Sequence, residues 1–114
     1  MVTADKLQRG LAKYIEEQIL PPMKGADRWI ITGAATMALA KLPNMIQQQM
    51  QSGGVLKTLG VIGTDGTIDI EGIIKSVRPA AKSSPASFNI PFTSGVITLT
   101  DADLDVIQRY IEQA

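Results

Sequence analysis

One uncharged run constrains this chain more than any other feature. Between Arg28 and Lys41 lie Trp29-Ile30-Ile31-Thr32-Gly33-Ala34-Ala35-Thr36-Met37-Ala38-Leu39-Ala40, with apolar or small residues at nearly every position. At about 1.5 Å per residue, a helix of this run reaches about 18 Å, well short of a bilayer core of about 30 Å. A membrane span is therefore not favoured. A helix that is apolar almost all round is expected to be the central and most buried element of a soluble domain. Asp27 is the predicted N-cap. Pro43 is predicted to kink or end the helix, because it lacks a donor and its ring crowds the preceding turn. Helix then resumes from Asn44 to Gln51, with Leu42, Met45, Ile46 and Met50 on one side and Gln47-Gln48-Gln49 with Gln51 on a solvated face. Gly33 and the neighbouring alanines permit close helix approach. Trp29, Gly33 and Met37 are the candidate interface residues, and the partner expected there is another protein or a second copy in a homo-oligomer.

The rest of the chain must build a domain around that helix. At 114 residues one domain covers the whole length, 1–114, with a helical part over about 4–60 and a helix, hairpin and helix over about 61–114. A first helix is predicted from about Ala4 to Leu20, where Leu7, Leu11, Tyr14, Ile15 and Ile19 share one stripe and Pro21-Pro22 ends it. Ser52-Gly53-Gly54 breaks the chain, and Ser52 is the predicted cap of a short helix through Leu59, stopped by Gly60. Asp65-Gly66 between apolar residues marks a tight turn. Asp69 is the predicted N-cap of a helix carrying Ile70, Ile73, Ile74 and Val77 at i, i+3, i+4 and i+7, and Pro79 is expected to limit it. Ala80 to Ser87 reads as a connector. A β-hairpin is expected between Ser87 and Thr100, with Thr93-Ser94-Gly95 as its loop and Pro91 at an edge or bulge. Asp101 to Glu112 closes the chain as a helix capped by Thr100 or Asp101, with Leu104, Ile107 and Ile111 inward. The fold class is α+β, mostly helical with about five helices. It has one hairpin in the C-terminal half and a small sheet of at most three strands.

Two residue types are missing, and they narrow the chemistry. The chain has neither histidine nor cysteine. It therefore lacks the commonest metal ligand, the side chain that unperturbed titrates near neutrality, and any thiol nucleophile. The acidic residues read as local structure. Aligned on Gly66, residues 61–72 leave only Asp65 and Asp69 of a calcium loop's ligands, with Val61, Gly63 and Gly72 where oxygen ligands belong. Asp101, Asp103 and Asp105 on a helix diverge, since i and i+2 point about 200° apart. The glycines fit no phosphate-loop or dinucleotide fingerprint. No enzyme activity, cofactor or metal is expected.

Charge adds one alternative. The 11 basic and 11 acidic residues cancel, but residues 1–82 carry +3 and residues 83–114 carry −3. Lys75, Arg78 and Lys82 recur at three- and four-residue spacing as a candidate phosphate-facing row. With the hairpin as a wing, they form the basis of a nucleic-acid-binding alternative. A solvated face is the favoured reading of that row, since Pro79 interrupts the helix it needs. A further alternative is a membrane-associated, lysis-related protein acting through the Trp29–Leu42 segment. The N-terminus MVTADKLQRG mixes acid and base without an apolar run, which is unlike a signal peptide, and a cytoplasmic or virion location is expected.

Taken together, "LAKYIEEQILP", the Ala-rich helix, "LGVIGTDGTIDIEGI", the "NIP" strand and "ITLTDADLDVIQRYI" span most of the chain. They resemble a group of small uncharacterised proteins encoded in phages and prophages of Gram-positive bacteria. That resemblance implies a virion or assembly accessory protein without an active site, and it transfers no functional residues. The expected function is a non-enzymatic structural or protein-interaction role.

Overall fold

The computed structural model describes residues 1–51, 54–90 and 95–114. Its elements run α1 (Ala4–Tyr14), α2 (Gly25–Gln49), α3 (Val55–Thr58), α4 (Ile70–Ser83), β1 (Ala86–Asn89), β2 (Val96–Leu99) and α5 (Asp101–Glu112). This is an α+β architecture dominated by helix. The sheet of the described residues is a two-stranded antiparallel ribbon that pairs Ala86 with Leu99 and Asn89 with Val96. Thr93 and Ser94 of the predicted hairpin loop and Pro91, like the Ser52 cap, lie outside the described residues.

α1, α4 and α5 enclose the core because each carries an apolar stripe of helical period. α1 starts at Thr3, whose hydroxyl accepts from the Lys6 N–H, and it meets α5 at very short range. Gly10 makes that approach possible: a Cβ there would lie 2.4 Å from the Ile111 Cα. Beyond Tyr14 the helix widens into a π-helical turn over Ile15–Ile19, and Leu20 and the Pro21-Pro22 pair close it. The expected helix over residues 4–20 is thus two kinds of helix in sequence. Tyr14 stacks edge-on against Tyr110 of α5, with centroids 5.7 Å apart.

Ile68 sits at the centre of the core, 1 % exposed, among Val2, Ile46, Ile70, Ile74 and Ile111. Its backbone exchanges two hydrogen bonds with Val2, each 2.8 Å, so the N-terminal residues are stitched to the segment before α4. The Asp65-Gly66 turn forms as the residues predict. Gly66 adopts φ +83°, and the Asp65 carboxylate accepts from both the backbone and the hydroxyl of Thr67. Those hydrogen bonds hold the Asp65 carboxyl below its ordinary range. Asp69 caps α4 by accepting from the Gly72 N–H at 3.0 Å, and Thr100 and Asp103 form a reciprocal capping box on α5.

Several expectations about the helices need correction. Neither internal proline ends its helix. α4 runs through Pro79 to Ser83, so Ala80–Ser83 is helix and the connector is shorter than predicted. Val77, the fourth position of the α4 stripe, is exposed. α2 runs unbroken through Pro43 over 25 residues. Pro43 cannot donate to the Leu39 carbonyl four residues back, but the Gln8 side-chain amide of α1 donates to that same carbonyl at 2.8 Å. A neighbouring element thus satisfies the group that proline abandons. α2 also begins earlier than expected, at Gly25 after Lys24, which places Asp27 in its first turn rather than at the cap.

The largest correction concerns burial. α2 is not the central buried element, since among its residues only Ile46 is buried. It lies along the domain with Ile31, Ala35, Leu39, Leu42 and Ile46 turned inward and the opposite face open. An apolar girdle tells a helix that it can be buried on any side. The other helices of this chain are too short and too few to cover more than one.

Candidate functional site

Two surfaces of the described residues carry more chemistry than a solvated exterior requires. The first is the outward face of α2. Trp29, Gly33 and Met37 follow at i, i+4 and i+8 and share that face with Ala40 and Asn44. Trp29 is 79 % exposed and Met37 is 62 % exposed. A Cβ built on Gly33 would meet nothing within 4 Å. The three residues selected from the sequence are therefore brought together as one stripe, open to solvent and without a charge between Arg28 and Lys41. Arg28 itself turns away, donating to the Leu20 carbonyl at 3.2 Å. Thr32 and Thr36 satisfy their hydroxyls on carbonyls of their own helix, at 2.6 and 2.8 Å, so they present methyl groups rather than free donors.

Further exposed apolar residues were not singled out from the sequence. Met45, Val55 and Leu59 are each more than half exposed, and Met45 and Val55 line an apolar hollow of about 360 Å³ between α1, α2, α3 and α4. Phe88 and Val96 are similarly exposed on the hairpin. In the sequence, Met45 belongs to one apolar side of a helix with Leu42, Ile46 and Met50, and Phe88 to an alternating strand, and both patterns ordinarily signal burial.

The second surface lies between α4 and α5. Because Pro79 does not break α4, Lys75, Arg78 and Lys82 share one side of a continuous helix and line a single hollow of about 450 Å³. Ile74 and Pro79 form its apolar part, Gln108 of α5 contributes a polar edge, and Glu71 stands at one end. The three cations are not equivalent. Arg78 is tied to the Asp105 carboxylate and reaches the Asp101 carbonyl at 3.4 Å. The Arg78 hydrogen bond holds the Asp105 carboxyl below its ordinary range. Among the described residues, neither Lys75 nor Lys82 forms an ion pair.

The acidic residues act as structure here. Asp65 makes a turn, Asp69 and Asp103 cap helices, and Asp105 pairs with Arg78. Among the described residues no three acidic side chains gather where a metal ion would fit. No helix among them is long and apolar enough to cross a membrane. Comparison of the chain with protein-family models, curated proteins and solved structures finds no match.

Proposed function

We propose that this chain is a non-enzymatic interaction protein that pairs with a second copy of itself through the outward face of α2. The phage or prophage accessory proteins that its sequence resembles supply the setting: an assembly component that works by presenting a surface. The observation that carries the reading is Trp29, the chain's only tryptophan, standing 79 % exposed on an uncharged apolar stripe. Exposed aromatic anchors of this kind dominate the energetics of protein interfaces.

The amount of open surface supports pairing. The chain exposes 7349 Å². A globular monomer of 12.2 kDa is expected to expose about 6,100 Å². The excess of about 1,300 Å² is a total over the whole chain, the α2 face and the hairpin included, and it leaves room for the roughly 800 Å² that each partner contributes to a standard interface. A second copy suits the stripe because an uncharged, self-similar face satisfies the two-fold symmetry of an isologous dimer. Antiparallel pairing about Thr36 and Met37 sets the small Gly33 of one copy beside Ala40 of the other, and it opposes the two helix dipoles. Without imidazole or thiol, the chain has little of the inventory on which most hydrolytic and metal-dependent catalysis draws.

Sedimentation equilibrium with tryptophan fluorescence tests this directly. The mass is expected to approach twice 12.2 kDa as concentration rises, with Trp29 emission shifting to the blue. Trp29→Asp is expected to hold the chain monomeric with its helix content intact. A monomer at high concentration with water-like Trp29 emission overturns the proposal. So does recovery of the chain on floated liposomes without self-association.

A further inference from the structure

The hollow between α4 and α5 is independent of the α2 face, and we propose that it binds a small diphosphate-bearing anion. Lys75 and Lys82 lie seven residues apart on one side of α4, about 10 Å along the axis. Their flexible four-carbon stems can bring both ammonium groups over the intervening Arg78. A single phosphate is small for that span, whereas a diphosphate offers an anionic group to each lysine.

The surroundings set the ligand's size and class. Asp105 holds the Arg78 guanidinium at the α5 side, so the floor between the two lysines is a pre-positioned ion pair whose remaining N–H groups can still donate. Neither Lys75 nor Lys82 is in an ion-pair contact among the described residues, although Lys82 lies near enough to Asp105 to help hold its carboxyl low, so both ammonium groups can still turn to a ligand. A concavity of about 450 Å³ is the size of a small-molecule site. Ile74 and Pro79 give the hollow an apolar wall for any organic group the diphosphate carries. A duplex fits less well. Glu71 stands at one end of the row, and Asp101, Asp105 and Glu112 line the neighbouring helix, so an extended polyanion meets repulsion on both sides. The compact cluster favours a compact anion.

Pyrophosphate and ADP, titrated separately into the full-length chain and followed by amide chemical shifts, test the proposal. Both are expected to shift the amides of α4 around Lys75, Arg78 and Lys82 with saturation in the millimolar range or below. Equal affinities identify the diphosphate alone as the ligand, and tighter ADP binding shows that the organic group uses the Ile74–Pro79 wall. Lys75→Ala and Lys82→Ala are solvent-exposed changes, and each is expected to weaken binding by about tenfold, the value of one charge-assisted hydrogen bond. No shift from either ligand overturns the proposal, as does binding that the double substitution leaves unchanged. Tighter, salt-dependent binding of a short DNA duplex at the same lysines also overturns it, in favour of a nucleic-acid site.

Discussion

The α1–α5 seam and the α2 face are both helical and both rich in apolar residues, yet they are built to opposite ends. At the seam two backbones touch at Gly10 and Ile111, the tyrosines interlock, and α1 and α5 each begin with a side-chain cap. α2 has no side-chain cap at its start and buries one residue of its 25. The difference lies in periodicity. A stripe at helical spacing names the face to be covered, and a neighbour with a matching stripe covers it. An all-round apolar helix names no face, so one side goes to the core and the other stays open to solvent.

Matched glycine substitutions are the strongest way to break that comparison. At Gly10 a methyl group collides with the Ile111 backbone, which cannot step aside without separating the helices. Gly10→Ala is expected to destabilise the chain by about 3 kcal/mol or more, read from the denaturant midpoint. At Gly33 the methyl meets open space on a helix exterior, and alanine is the better helix former. Gly33→Ala is expected to stabilise the dilute chain by about 0.5–1 kcal/mol. On the proposed pairing of α2 faces, the gain should shrink as concentration rises, because the added methyl then separates two helices. Similar losses at both glycines would erase the distinction between the regions.

A smaller effect is expected where the two regions meet. Gln8 donates to the carbonyl that Pro43 leaves unpaired, so removing the amide should cost about 1 kcal/mol. The Pro43→Ala variant gains a backbone N–H aimed at that carbonyl, and Gln8→Ala in that background should cost close to nothing. A double-mutant cycle measures the coupling. Additive changes would mean that the Gln8 contact does not sustain α2 through its proline.

These contacts also show which parts of the molecule a sequence discloses. α1, α4 and α5 could be read from the spacing of Leu7 and Leu11, of Ile70 and Ile74, and of Leu104 and Ile111. The Asp69 and Thr100 caps and the Asp65-Gly66 turn could be read because their hydrogen bonds join residues two or three apart. The persistence of α2 could not, because its remedy for Pro43 comes from Gln8, 31 residues before Leu39. Nor could the pairing of Val2 with Ile68 across most of the chain. The candidate surfaces divide in the same way. Trp29, Gly33 and Met37 share a face by spacing alone, whereas their exposure depends on what the other elements fail to cover. The Lys75, Arg78 and Lys82 row is local, but the hollow exists only because α5 brings Gln108 and Asp105 alongside.

The smallest expected effect lies in that α4–α5 contact and separates it from the close-packed α1–α5 seam by its response to pH. The Arg78 hydrogen bond lowers the folded Asp105 pKa below the ordinary 3.8, to which the unfolded chain reverts. The unfolded state therefore binds this proton more readily than the folded one. The contribution of the pair is full above the ordinary carboxylate range, and it is lost as pH falls through the folded value. Asp105→Asn removes the ionisation. The difference in denaturant midpoint between the parent chain and this variant should stay level from neutrality to about pH 5 and narrow below about pH 4. Both partners are reached by solvent, with the Arg78 side chain 29 % and the Asp105 side chain 59 % exposed, so the difference should be modest and should shrink in salt. Gly10→Ala contains no titrating group, so its destabilisation should not change over the same interval. If the Asp105→Asn difference is equally flat, the ion pair contributes nothing that protonation removes, and α4 and α5 are held by apolar contact and the Arg78 hydrogen bond to the Asp101 carbonyl.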